Sequence, residues 1–427
     1  MMTSECFVYI QMPGSLEVVT AGRFRHEVLP DGSAVGLYIY GSRYLARPDA
    51  VPLDPFNLPL EPTEFQTTQL NGMFGALRDV APDFWGRRVI DRRYSERDLT
   101  EFDYLLHGGP GRIGALIFGP DVTPPVPDAR GALPGFHDLA DLRKAAELIE
   151  QDEPVTEDLQ EMLDPGSSVG GARPKTVIRQ DGVTWLAKFP QLGDPWCNAA
   201  VEGGMLRLAA RCGIRVPEIR VEPVGQEKIL LVKRFDREPF HGGELRHRMV
   251  SALTVLALDD SVTERSGWSY LAFADEIQRW SEDPASDKRE LFRRMVFNAL
   301  ISNADEHPRN HAMLAPGEGW RLSPAYDLTP SRARSLEHRD LAMVAGTLGR
   351  VASRENLLSE ALRFGFDVDE ANDVIDGMKA AIEEHWCADI LASEGKEEDC
   401  EAARSAFLYP GFEIERNPAG KSSWNWV

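Results

Sequence analysis

The first forty-five residues alternate apolar and polar positions with the short period of β-structure. Phe7-Val8-Tyr9-Ile10 and Gly36-Leu37-Tyr38-Ile39-Tyr40 are rich in β-branched and aromatic side chains. Gly14, Gly22 and Asp31-Gly32 punctuate them, which predicts short strands. The period then lengthens, and residues 66–106 predict helix. A strand is expected over 111–118. Pro120, Pro124, Pro125, Pro127 and Pro134 follow within 119–135 and predict a loop or linker. Leu139, Leu142, Ala146 and Leu148 share one side of an amphipathic helix over 136–150. From 165 to 235 the β-pattern returns. Residues 175–179 and 184–189 flank Asp181-Gly182, the signature of a tight hairpin. A helix over 196–212 closes at Gly213, and strands over 218–222 and 228–235 meet at Gly225. Beyond Pro239 nearly everything reads as helix, apart from 312–328.

Composition narrows the class. A chain of 427 residues with 43% apolar side chains and nine Trp can build more than one core. No run approaches the roughly 18 to 20 apolar residues of a membrane span. The start, Met1-Met2-Thr3-Ser4-Glu5-Cys6, lacks a basic stretch followed by an apolar one, so no secretory signal is expected. The cysteines Cys6, Cys197, Cys212, Cys387 and Cys400 are odd in number, scattered and free of any C-x-x-C pair. That argues against a zinc site or a disulfide framework and for a reducing cytoplasm. A net charge of −21 would repel DNA and anionic membrane, so contact with nucleic acid is expected only through a local patch or a basic partner. The one basic island, Arg78, Arg87, Arg88, Arg92, Arg93 and Arg97, is interleaved with Asp79, Asp83, Asp91 and Glu96. It predicts a solvated helix laced with ion pairs.

The densest chemistry lies in Asn303-Ala304-Asp305-Glu306-His307-Pro308-Arg309-Asn310, with Tyr326-Asp327 after a short β-like excursion. Phosphoryl transfer in protein kinases uses this order of groups: an Asp that orients the attacking hydroxyl and takes its proton, then an Asn and a second Asp that hold Mg²⁺ against the triphosphate. Lys188 interrupts the apolar strand Trp185-Leu186-Ala187-Lys188-Phe189. A kinase needs such a lysine for the α- and β-phosphates, while an edge-strand lysine reaching out to water is the bland alternative. Residues 164–175 form a Gly-rich loop ending in Lys175. Glycines let backbone amides approach phosphate, although the loop matches neither common phosphate-binding pattern. Lys233-Arg234-Phe235 ends the last strand where an adenine could rest on backbone groups and an aromatic ring, or where a plain connector could pass. A β-rich lobe followed by a helical one is the order of a protein kinase.

Together, Ser168-Val169-Gly170-Gly171-Ala172 with Lys175, Lys188, Arg234-Phe235-Asp236-Arg237, Asn303-x-Asp305-x-His307-x-x-Asn310 and Tyr326-Asp327 resemble the HipA family of serine/threonine kinases, toxins of bacterial type II toxin–antitoxin modules. The resemblance runs from about residue 5 to about 400. It implies an α+β, bilobal protein-kinase-like fold with an N-terminal subdomain over 1–125, a β-rich lobe over 136–235 and an all-helical lobe over 236–427. It implies ATP and Mg²⁺ as cofactors, with Asp305 catalytic, Asn310 and Asp327 on the metal and Lys188 on the α/β-phosphates. Gly170, Gly171, Ala172, Arg173, Pro174 and Lys175 would cover the phosphates. Lys233, Arg234 and Phe235 would hold adenine, and His307 and Tyr326 would line the nucleotide. Ser168, with Ser167 as its neighbour, would be the site of a self-inactivating autophosphorylation. The implied target is a translation factor such as an aminoacyl-tRNA synthetase. The implied partner is a basic HipB-like helix-turn-helix antitoxin, through which alone DNA would be reached. Arg173-Pro174 and Arg246 to Ser251 depart from the family's usual residues. Two other readings share parts of this set: a small-molecule phosphotransferase of the aminoglycoside-kinase kind, and a catalytically silent co-repressor scaffold.

Overall fold

Alternation of inward apolar side chains builds the first sheet. In the computed structural model, which describes residues 2–94, 98–125, 133–163, 170–259, 262–332 and 335–415, the strands β1 (Met2–Gln11), β2 (Val18–Val28), β3 (Ala34–Tyr40), β4 (Glu64–Thr67) and β5 (Leu116–Gly119) form an antiparallel sheet in the order β4-β3-β2-β1-β5. Cys6, Val8 and Ile10 on β1, Phe24 on β2 and Tyr38 on β3 are buried in one cluster with Leu77, Phe102 and Leu105. The expected helix over 66–106 is broken. It opens on β4 and then splits into the single turns and short helices α2 (Gly75–Arg78), α3 (Phe84–Arg93) and α4 (Glu101–His107), after an earlier turn α1 (Ser42–Leu45). Pro82, which lacks an N–H, separates α2 from α3. The reciprocal capping box of Thr100 and Asp103 starts α4 afresh.

The second sheet is the predicted hairpin extended. β6 (Lys175–Gln180), β7 (Val183–Lys188), β8 (Ile219–Val224) and β9 (Glu227–Lys233) order as β6-β7-β9-β8, all antiparallel. Asp181 and Gly182 take φ of 51° and 77°, the paired left-handed backbone that a two-residue hairpin turn requires. The helices α5 (Leu139–Glu150) and α6 (Glu157–Leu163) share its core: Leu142, Ala146 and Ile149 pack with Ile178, Trp185 and Leu231.

The stretch after Phe235, expected to be helical from Pro239 onward, is instead extended. β10 (Arg237–Phe240) pairs with β11 (Gly243–Arg246), while β12 (Arg248–Ser251) joins β13 (Ala312–Ala315) and β14 (Arg321–Leu322), and only the single turn α8 (Ala252–Val255) follows. Tertiary burial of charge decides this. The Asp236 carboxylate, 2% exposed, takes two donors from Arg234 at 2.7 Å, one from Arg237 at 2.8 Å and the Gly114 N–H at 2.8 Å. Arg234, Arg237 and Arg246 all donate to the Arg112 carbonyl, and Arg237 and Arg246 also to that of Gly114. Arg112 itself spends its guanidinium on the carbonyls of Val80, Leu105, Leu106 and Gly108. Buried charged residues thus knot the strands to the loop before β5.

These elements make one compact unit, Met1–Ala199 with Pro217–Ser261 and His311–Ser323. The other is Ala200–Val216 with Val262–Asn310 and Pro324–Val427. The second holds most of α7 (Asn198–Arg211) and the helices α9 (Tyr270–Trp280), α10 (Pro284–Leu300), α11 (Arg354–Leu358), α12 (Val368–Leu391) and α13 (Glu397–Ala403). Its starts follow capping chemistry. Ser269 accepts from Leu271 and Ala272 N–H, Asp283 caps α10 ahead of Pro284, and Asp367 with Glu370 boxes α12.

The described part of the basic island pairs as expected, though mostly not with the acids interleaved among it, and Arg97 and Glu96 lie outside the described residues. Arg78 meets Asp83, Arg87 meets Glu101 in a two-pronged contact, and Arg88 and Arg92 share Asp152. All five cysteines are free thiols, and among the described residues no helix is long and apolar enough to cross a membrane.

Candidate active site

In the second unit, α10 delivers the chain into a tight loop. Ser302 turns it with a left-handed backbone, φ 56°. Asn303 then locks it: its N–H donates to the Asn298 carbonyl at 2.8 Å, and its side-chain amide donates to Asn298 Oδ1 and Glu306 Oε2, both at 3.1 Å. Asn298, Asn303 and Glu306 are at most 1% exposed. Asn298 also donates to the Tyr270 hydroxyl at 3.3 Å, and burial together with the Glu306 carboxylate pushes that hydroxyl well above its ordinary pKa. A buried, mutually satisfied polar network of this kind fixes one backbone geometry.

On that frame Asp305 is exposed. Its carbonyl is held twice, by the His307 N–H at 2.9 Å and by the Asn310 side-chain amide at 3.1 Å, while the Asn310 N–H returns to the His307 carbonyl at 2.8 Å. Because the Asn310 nitrogen is spent on Asp305, its oxygen is the atom suited to a cation. The Tyr326 hydroxyl donates to the Arg309 carbonyl at 2.8 Å, and Asn303 Nδ2 lies 3.5 Å from the Asp327 carbonyl, so the 326–327 segment is tied to the 303–310 loop. Asp327 sits in the left-handed region at φ 55°, which Asp tolerates better than most residues. His307 packs edge-on to Trp268 with centroids 6.2 Å apart, and its Nδ1 is buried without a hydrogen-bond partner.

The structure therefore brings Asp305, His307, Asn310, Tyr326 and Asp327 into one tied pair of segments. Among the described residues no group of three or more His, Cys, Asp or Glu side chains is arranged to hold a metal. An Asn oxygen and one carboxylate fit Mg²⁺, which keeps several waters and takes its remaining ligands from substrate phosphates.

The first unit carries the other predicted residues. Lys188 lies on an interior strand, not an edge, and pairs in register with Lys175 across β6 and β7. Lys175 is 4% exposed and its ammonium donates to the Gly170 carbonyl. Gly171 has φ 110°, which favours glycine, and a Cβ there would collide with Lys175 Nζ. Arg173 pairs with Asp194, and the Pro174 carbonyl accepts the Phe189 N–H at 2.9 Å. Ala172 is exposed.

The Lys233 and Arg234 amides are committed to the Glu218 and Thr184 carbonyls, and their side chains to Glu218 and Asp236. Only Phe235, half-buried, keeps a side chain outside that ion-pair set. Ser167 and Ser168 lie outside the described residues. Sequence reasoning missed the supporting roles of Asn298, Asn303 and Glu306. Their one visible signal is polar spacing across the end of a helix, which does not reveal burial.

A family model described as the HipA-like C-terminal domain matches residues 167–386. The serine/threonine-protein kinase toxin HipA of Shewanella oneidensis is 26% identical over 305 residues, covering 65% of this chain and 66% of that protein. Protein Y4mE of Sinorhizobium fredii is 28% identical over 147 residues, 34% of this chain and 33% of that protein. These matches thus span from one third to just under two thirds of the relatives' own lengths. Among solved structures, the Shewanella oneidensis MR-1 toxin–antitoxin complex of HipA, HipB and operator DNA contains a chain that superposes with a TM-score of 0.68. It covers 96% of this chain and 100% of its own at 17% identity, which establishes a shared fold. A mixed α/β chain with the HipA fold and this loop belongs to the kinase-like proteins by architecture. More narrowly, it is a member of the HipA-like family.

Proposed function

We propose that this chain is an ATP- and Mg²⁺-dependent serine/threonine protein kinase acting as the toxin of a type II toxin–antitoxin pair. The observation that carries the reading is Asp305. Asn298, Asn303, Glu306 and Asn310 are buried and hydrogen-bonded within the loop network, while the one carboxylate a phosphoryl acceptor would need stands exposed. In this reading Asp305 takes the proton of the acceptor hydroxyl. Asn310 and Asp327 would hold Mg²⁺, which supplies charge neutralisation at the transferring phosphoryl group. Lys188 with Lys175 answers the phosphates, residues 170–175 cover them, Phe235 packs on the base, and His307 and Tyr326 line the nucleotide.

Ser168 is the proposed site of self-phosphorylation. A phosphate there, carrying about −1.5 to −2 charges, would compete with the nucleotide for the same lysines. A HipB-like, basic helix-turn-helix antitoxin is the proposed partner, suited to the −21 net charge of this chain, and any operator DNA would be reached through it. The proposed target class is a translation factor such as an aminoacyl-tRNA synthetase. Purified protein given ATP labelled in the γ-phosphate is expected to label itself, with Ser168→Ala removing most of the signal. Mass spectrometry locates the phosphate. Complete absence of label on the chain and on a panel of synthetases would count against the reading.

A further inference from the structure

The Gly-rich loop does not stand alone. It is gripped from the start of α3 by three hydrogen bonds. Asp83 Oδ2 accepts the Gly171 N–H at 3.1 Å, the Trp85 N–H donates to the Gly171 carbonyl at 3.3 Å, and the Trp85 indole N–H donates to the Lys175 carbonyl at 2.9 Å. Both polar groups of Gly171 and the far end of the loop are thus held from residues 83–85. The grip is close enough that a Cβ on Gly170 would lie 2.8 Å from Asp83 Oδ2. Arg78 holds the same carboxylate from the other side at 2.9 Å.

Asp83 occupies the N-cap position of α3, where an Asp ordinarily accepts amides of its own helix. Here its side chain makes no such bond and reaches the loop instead. A helix that forgoes its preferred cap to hold a glycine 88 positions away is built around that glycine. Trp85, 1% exposed, anchors the grip in the core beneath the sheet, with Ile178, Trp185 and Leu231 in the same cluster.

Resting on the nucleotide reading of this loop, we infer that Asp83 and Trp85 are positioning residues for it. They set residues 170–175 over the phosphates before nucleotide arrives. The Gly171 N–H, already committed to Asp83, is not a phosphate donor. The acidic N-cap of a helix in the N-terminal segment therefore tunes nucleotide affinity in the kinase-like part of the same unit.

The decisive variant is Asp83→Ser. Serine is too short to span to Gly171 but is a good N-cap, so α3 keeps its start and the fold is retained. The expected result is an ATP KM raised about tenfold, the size set by losing one charge-assisted hydrogen bond, with kcat changed less than about twofold. Amide hydrogen exchange over residues 170–175 should quicken in the nucleotide-free protein, and Asp83→Asn, which keeps an acceptor for Gly171, should restore much of both. Wild-type KM and unchanged exchange in Asp83→Ser, at an unchanged melting temperature, would overturn the positioning role and leave the nucleotide reading standing. Faster exchange over 170–175 with no ATP bound by the wild-type protein would instead show a purely structural grip and overturn the nucleotide reading with it.

Discussion

Asp305→Asn is expected to lower phosphoryl transfer by about a hundred- to ten-thousandfold, the usual contribution of a positioned general base, while ATP still binds. The substitution is informative because the loop is held through the Asp305 carbonyl, not its carboxylate. His307 and Asn310 donate to that carbonyl, and Asn303, Asn298 and Glu306 fasten the backbone on either side. An Asn of the same shape leaves those bonds in place and removes only the basic oxygen. Transfer of labelled phosphate, read beside calorimetric titration with ATP, checks both halves. Labelling within about tenfold of the wild type would mean that the acceptor proton leaves by another route. Loss of ATP binding would mean that the carboxylate serves the metal or the fold.

The second large effect is on stability. Asp236→Ala is expected to destabilise the first unit by about 3–5 kcal/mol, because it strips the acceptor from buried Arg234 and Arg237 and leaves their charges unanswered. Denaturant unfolding followed by tryptophan fluorescence measures it. A loss below about 1 kcal/mol would show that the backbone carbonyls of Arg112 and Gly114 suffice for the guanidinium groups. The pH dependence has a defined sign. Burial alone would raise the Asp236 pKa, but Arg234 and Arg237 outweigh it and hold the carboxyl well below the usual carboxylate range. A carboxylate depressed in the folded state adds stability that is fully present above its unfolded pKa of about 3.9 and is lost only as pH falls toward the depressed value. In Asp236→Ala that acid-sensitive increment should be absent, so the difference between variant and wild type should narrow below about pH 4.

Where local pattern and tertiary structure agree, the sequence is readable. The 175–188 hairpin declares itself through strand period and an Asp-Gly turn, and both turn residues take the backbone that the pair foretells. The order of Asp305, Asn310 and Asp327 is visible in the sequence, and the structure ties together the two segments that carry them. Residues 239–251 fail for the opposite reason. The pattern beyond Pro239 predicts helix, yet Arg248 there and Arg237 just before it are buried, and backbone carbonyls distant in sequence hold their guanidinium groups. The grip of Asp83 on Gly171 is equally invisible. A one-dimensional reading places Asp83 among the acids of a charged helix and has no means of pairing it with a glycine 88 positions on.

The interleaving of the two units has a consequence for synthesis. β12 is made early, but its neighbours β13 and β14 leave the ribosome only after the whole 262–310 segment, and the other unit draws on residues up to the C-terminal helices. Vectorial folding can therefore close the β12–β13–β14 sheet only once residue 322 has emerged, and the second unit only as its C-terminal helices are made. A chain terminated before residue 312 would lack both that sheet and Asp327.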